Sequence, residues 1–142
     1  MEILLTRKGK GDLAELKVAG DLIGRGYRIA LPYGEDWDFD LIVLRNGNLE
    51  RVQVKHAMSR NGVIEVRCGS HSLTNGKVRR TKHYTADMID WLAVYDRTTD
   101  RCFYLPASEL GCGKWMLSLR LTPTRNHQSS GIRYAEDYRS LP

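Results

Sequence analysis

The sequence has little of what would carry a chain into or across a membrane. Its N-terminal MEILLTRKGKGD holds only three consecutive apolar residues before a basic cluster, too few for a signal-peptide core or a spanning segment. The expected location is therefore the cytoplasm. Cysteine is scarce as well: Cys68, Cys102 and Cys112 are odd in number and lack the paired spacing of a zinc site, so they read as reduced, ordinary residues. Internal repeats, low-complexity tracts and a dividing linker are missing too. A chain of 142 residues then suits one domain, residues 1–142, with a proper core.

What the sequence does have is positive charge. A formal net charge of +5, a pI near 9.2 and 27% charged residues give a surface potential that favours a polyanionic partner. The densest basic stretch is Lys77, Arg79, Arg80 and Lys82, flanked by His71 and His83, in GSHSLTNGKVRRTKHYT. It reads as a long polar loop that either grips DNA phosphates or is merely solvated. Lys8 and Lys10, ahead of the first helix, form a smaller set of the same kind.

Asp12 precedes LAELKVAGDLIGRG, in which Leu13, Leu16, Ala19, Leu22 and Ile23 recur at helical spacing and Gly24 and Gly26 supply a stop. The expectation is a helix over roughly 12–25, with Asp12 and Glu15 spaced as a capping box. YRIALP is a short strand and YGEDW a loop. Two strands near 39–45 and 49–55 follow, joined by Asn46-Gly47, the strongest short hairpin signal. GVIEVRC continues as a third meander strand. ADMID forms one or two helical turns, WLAVYD and RCFYLP pair through RTTD, ASEL is a short turn, KWMLSLRL a strand and GIRYAEDYRSL a final amphipathic helix. The fold class is α/β or α+β.

The hairpin carries the chemistry. Stepping outward from Asn46-Gly47, Leu44 meets Leu49, Ile42 meets Arg51, Asp40 meets Gln53 and Asp38 meets Lys55. Alternation puts Asp38, Asp40, Gln53 and Lys55 on one face. Two acids, an amide and an ammonium beside Leu41, Val43, Val52 and Val54 cost desolvation energy unless a cation compensates them. Mg²⁺ takes hard oxygen ligands such as the Asp40 carboxylate, the Gln53 amide oxygen and a backbone carbonyl of the same strand end. Lys55 is suited to stabilise hydroxide and the pentacovalent phosphate it forms. The alternative is an exposed Asp/Lys pair at a frayed hairpin end, worth under ~1 kcal/mol. Glu15 lies seven residues before Leu22, so it points toward the protein body, where a carboxylate needs a partner.

The order KGDLAE on a first helix, GYRI, FDLIV and then VQVK closing the next strand resembles the PD-(D/E)xK nuclease superfamily. The likeness is greatest to its archaeal-type Holliday junction resolvases and a related group of intron-encoded homing endonucleases. The signature part spans about residues 9–57, and a vaguer similarity to the homing group continues through WLAVYD, FYLP and IRYAEDY. The resemblance implies a central mixed β-sheet with a hairpin carrying the active site, flanked by helices. It makes Asp40 the first metal-binding acid, Lys55 the lysine and Glu15 the helix acid, reaching the metal through a water. Val54 lends its backbone carbonyl to the Mg²⁺ or Mn²⁺ ion. Gln53 stands where most members carry Glu or Asp, a change that removes one negative charge and that Asp38 partly replaces. The serine common in the resolvases after the second strand is replaced by PYGED.

The function expected on this resemblance is a metal-dependent DNA endonuclease. The absence of an appended reading domain inclines it toward resolving four-way junctions as a homodimer or higher oligomer. A homing-type enzyme cutting duplex DNA and a non-catalytic DNA-binding module are the alternatives. His56 is expected to be structural, and Trp37 to pack. Trp91, Tyr95, Phe103, Tyr104 and Trp115 read as core or dimer contacts. Asp87, Asp90 and Asp96 read as caps and turns. His71, His83 and His127 have no mutual spacing of a metal site.

Overall fold

The computed structural model describes residues 3–74, 77–126 and 130–142, and the side chains of 72–74, 78 and 79 lie outside that description. His127 and the Arg79 side chain therefore fall outside the described residues.

The chain opens with α1 (Arg7–Gly24), which starts well before the expected residue 12. Thr6 is the cap: its extended backbone lets Oγ1 accept from Gly9 N at 3.0 Å, a contact worth about 1 kcal/mol. Asp12 consequently sits inside the helix, paired with Lys8 at 3.4 Å, and the Asp12/Glu15 capping box does not form. Lys8 and Lys10 belong to the helix itself. The buried stripe is Ala14, Val18 and Leu22, spaced by four, while Leu16 and Ile23 face solvent. Gly26, with φ +94°, closes the helix as Tyr27 N donates back to Leu22 O.

After the short β1 (Arg28–Ala30), β2 (Leu41–Arg45) and β3 (Asn48–Ala57) form the expected hairpin, with Arg45 opposite Asn48 and Leu44 opposite Leu49. Asn46 and Gly47 both have positive φ, 51° and 76°, as a type I′ turn requires. The anticipated meander stops there. β4 (Val63–Arg67) leaves β3 and pairs antiparallel with β9 (Met116–Arg120). The basic stretch read as a loop is a second hairpin, β5 (Gly69–Thr74) with β6 (Lys77–His83).

The main sheet has the order β1-β2-β3-β7-β8, where β7 (Trp91–Asp96) runs parallel to β3 and antiparallel to β8 (Arg101–Pro106). Every residue of β7 is buried, as befits a central strand covered on both faces. One core layer lies between α1 and the sheet, built from Val18, Leu22, Leu41, Val43, Val52 and Ala93. The other holds Leu92, Val94, Phe103 and Leu105 against Ile64, Val66, Leu117 and Leu119 of the β4–β9 ribbon. A ribbon, rather than further helices, covers that second face.

Trp91, Tyr95, Phe103 and Tyr104 are core residues. Asp96, fully buried, caps the loops beside it by accepting from Ser59 N at 2.7 Å and Thr99 Oγ1 at 2.7 Å. Asp90 locks β7 to β3 by accepting from the backbone N–H of Arg51 at 2.7 Å. A turn closed by Met88 N and Ile89 N onto Thr85 O leads into β7, and ASEL forms a 3₁₀ turn, Ala107–Leu110. The expected final helix shrinks to one 3₁₀ turn, Ala135–Tyr138.

Candidate active site

The hairpin register holds from Arg45 to Leu41 and lapses at Asp40. There the backbone N–H donates to Val52 O at 2.9 Å, a contact that regular pairing does not contain. Asp40 is therefore not the direct opposite of Gln53. Its carboxylate turns in and accepts from Val54 N–H at 2.9 Å, which fixes it against β3 by a backbone bond. Asp38 swings further away and pairs with Lys82 of β6 at 2.7 Å, so the expected Asp38–Lys55 pairing does not occur and Asp38 does not join the site.

Glu15, next to the buried Ala14 on α1, comes down to hydrogen-bond with the Asp40 side chain. Desolvation first, then the Asp40 charge and that hydrogen bond, push the Glu15 carboxyl up to about 7. Asp40 is raised too, mainly by burial, against the pull of the Val54 N–H, Glu15 and the Lys55 charge. Below about pH 7, then, Glu15 carries a proton that it can donate to Asp40. Two oxygen ligands pressed together this way are what a divalent cation would separate and neutralise.

Lys55 is half-buried on the next strand. Nζ donates to Gly69 O at 3.0 Å and sits 5.2 Å from the centre of the Tyr84 ring. Burial lowers its pKa, Asp40 attracts its charge and Arg67 repels it. Gln53 is buried on the same face of β3, and its amide nitrogen donates to Val54 O at 3.4 Å. A carbonyl can only accept, so this contact orients the amide with Nε2 toward Val54. Of the two proposed oxygen ligands, Val54 O is thus engaged by the Gln53 amide nitrogen rather than lying beside Oε1. Among the described residues no three His, Cys, Asp or Glu side chains cluster as a metal site. The available donor set is the Glu15/Asp40 pair with an amide and a carbonyl.

The structure thus brings Glu15, Asp40 and Lys55 together around the Val54 backbone, and Gln53 reaches that backbone through its contact with Val54 O. It does not bring the basic residues to one place. Lys77 and Arg80 are exposed along β6, Lys82 is engaged by Asp38, Lys8 is exposed beside Asp12, and Lys10 faces a cleft next to Lys55. His56 projects to the other face, where its buried Nε2 has no partner and burial lowers its pKa. Trp37 is 53% exposed and shapes its loop, its Nε1 donating to Tyr33 O at 2.8 Å. Residues the sequence reading missed are Gly69 and Tyr84, which hold Lys55, and Arg7 and Arg67, which line the cleft. A glycine opening a strand was the one signal that pointed to a close approach there.

A family model described as PD-(D/E)XK endonuclease matches residues 5–141. Among solved structures, the fold is similar to that of a bacterial homing endonuclease, I-Ssp6803I. The TM-score is 0.75 at 21% identity, over 94% of this chain and 88% of that one. No curated protein matches the sequence.

Proposed function

This chain belongs to the PD-(D/E)XK endonuclease family, and on that premise we propose that it is a divalent-metal-dependent endonuclease hydrolysing phosphodiester bonds of duplex DNA. The observation that carries the reading is Asp40, pinned by Val54 N–H between the Glu15 carboxyl and the Lys55 charge.

The donor set fits Mg²⁺ or Mn²⁺: Asp40 and Glu15 supply hard oxygens, and Gln53 Oε1 and Val54 O add neutral ones. When bound, the ion supplies positive charge against the phosphate and lowers the pKa of a water. Asp40 is the fixed anchor, because its geometry is set by backbone rather than by a mobile side chain. Glu15, once deprotonated, would be the second carboxylate available to hold the ion. Lys55, half-buried and already facing Asp40's charge, neutralises the negative charge that grows on the phosphate during attack. Gln53 must rotate its amide away from Val54 O to offer Oε1, and that rotation frees the carbonyl at the same time.

Duplex DNA is favoured over a four-way junction because β5 and β6 pair as a basic two-stranded ribbon, the kind of element a major groove admits. The structural likeness to a homing endonuclease supports the same preference. Two copies acting together cut the two strands.

Three outcomes separate the readings on one purified sample given Mg²⁺ or Mn²⁺. A homing-type enzyme cleaves discrete members of a randomised duplex library and leaves a synthetic four-way junction intact. Symmetric cutting of the junction, whatever its arm sequence, makes the protein a resolvase. Band shifts without cutting make it a binding module. Chelator and Asp40→Asn each abolish cleavage on the proposed reading, and an Asp40→Asn protein that cuts like its parent ends it.

A further inference from the structure

Lys55 also lines a cleft of about 600 Å³, with Arg7 and Lys10 of α1, Arg67 at the end of β4, and Ser70 and His71 of β5 around it; Glu65 of β4 is the acidic residue of the lining, so the cations outnumber it. Several cations elsewhere are ion-paired, though exposed ones such as Arg28, Lys77 and Arg80 are in no ion pair among the described residues. Arg45 meets Glu50, Arg51 meets Asp90, Arg133 meets Glu109, and Lys82 meets Asp38. Arg7, Lys10 and Arg67 have no carboxylate within ion-pair reach among the described residues. They converge from two elements onto Lys55 of a third.

Such crowding is unfavourable in the free protein. Arg67 repels Lys55 and Lys10 repels His56. The first turn of α1 contains no acid, although that end of a helix favours negative charge. Each of these costs falls when an anion enters the cleft. Arg7, Arg67 and His71 are exposed, so the space is an open channel suited to a passing polyanion rather than a closed pocket for a small molecule.

We infer that this cleft binds a DNA backbone phosphate next to the scissile one, with Arg7, Lys10 and Arg67 as its contacts. The inference rests on reading Asp40 and Lys55 as the cleavage site, since Lys55 is shared by both. A strand whose scissile phosphate lies at Asp40 continues past Lys55 into the cleft, so the same residues set the path of the strand.

The test is equilibrium binding of the full chain to a cleavable duplex in chelator, followed by fluorescence anisotropy over a salt series. Arg67→Ala and the double variant Arg7→Ala/Lys10→Ala are compared with Arg28→Ala, which removes an exposed charge on the edge strand β1. The cleft variants weaken binding about five- to tenfold, and the slope of log affinity against log salt falls by about one per charge removed. Arg28→Ala changes neither. Neutral methylphosphonate is then placed at single linkages. Wild type loses affinity at a linkage adjoining the cut, and Arg67→Ala loses nothing further there.

Cleft variants that behave like Arg28→Ala, or coupling only to a linkage remote from the cut, overturn the inference. Failure of the underlying site reading looks different: Asp40→Asn still cuts, whatever the cleft variants do.

Discussion

Lys55 Nζ lies 3.0 Å from the carbonyl oxygen of Gly69, the first residue of the basic β5–β6 hairpin. The ammonium proposed to meet the phosphate is thus held by a neutral acceptor and by the face of Tyr84, at the root of the element proposed to meet DNA. Tyr84 is a positioning residue on this reading. A desolvated cation over an aromatic ring gains about 1–2 kcal/mol, so Tyr84→Leu lowers kcat about tenfold while KM stays within twofold. Tyr84→Phe keeps the ring and restores the rate. Single-turnover cleavage separates the cases, and equal loss in both variants marks a role through the Tyr84 hydroxyl instead.

Glu15 makes stability depend on pH in an unusual direction. Its carboxyl titrates near 7 in the fold against 4.5 ordinarily, so the folded state binds the extra proton between those values. The stability this contributes is complete below the ordinary carboxylate range and is lost as pH rises through about 7. In chelator, the melting temperature falls from pH 5 to pH 8, and Glu15→Gln flattens the fall. Added Mg²⁺ raises the melting temperature at pH 8 far more than at pH 5, because at the lower pH it must displace the proton. A pH-independent response to Mg²⁺ would remove Glu15 from the ligand set.

Gln53 is the departure from the family's usual acid. On the proposed ligand set, Gln53→Glu adds a negative charge to the site, and Mg²⁺ affinity by titration calorimetry at pH 8 rises on the order of tenfold as ligand charge increases. The metal-free protein melts at a lower temperature for the same reason. Unchanged affinity places Gln53 outside the coordination sphere.

Gly69 is buried, and a Cβ there would collide with the Lys82 carbonyl and the Trp115 ring. Gly69→Ala must push the hairpin root apart, at a cost of about 2 kcal/mol. Because the displaced backbone is the one that holds Lys55, cleavage falls further than the loss of folded protein accounts for. Urea denaturation alongside a rate normalised to folded protein checks both statements.

The hairpin was legible because Asn46 and Gly47 are a local signal: both residues of a type I′ turn need positive φ, and few sequences tolerate it. The helix acid was legible through its spacing to Leu22. Asp40's placement was only half so, since alternation predicts its face but not the turn of its N–H to Val52 O that breaks the register. Thr6 captured the helix start because its hydroxyl reaches Gly9 N, a competition that Asp12 alone does not reveal. The β5–β6 hairpin was hidden for a physical reason: its polar residues lack apolar alternation. The ladder and the packing of Gly69 beneath Trp115, flanked by His71 and His83 at 4.6 and 5.3 Å, hold it instead. β4's strand character was plain, but its partner β9 lies some fifty residues on, and nothing local names a partner.

The parallel seam between β3 and β7 joins Val54 to Ala93 and Lys55 to Val94, about forty residues apart along the chain. The β2–β3 turn can close from nearby residues, whereas the strand bearing Gln53 and Lys55 meets its second neighbour across a chain segment that includes β4 and the β5–β6 hairpin. On the proposed reading, the site is therefore complete only when this long-range seam has formed. Before that seam closes, the chain carries the reactive side chains without the architecture that would let them injure DNA.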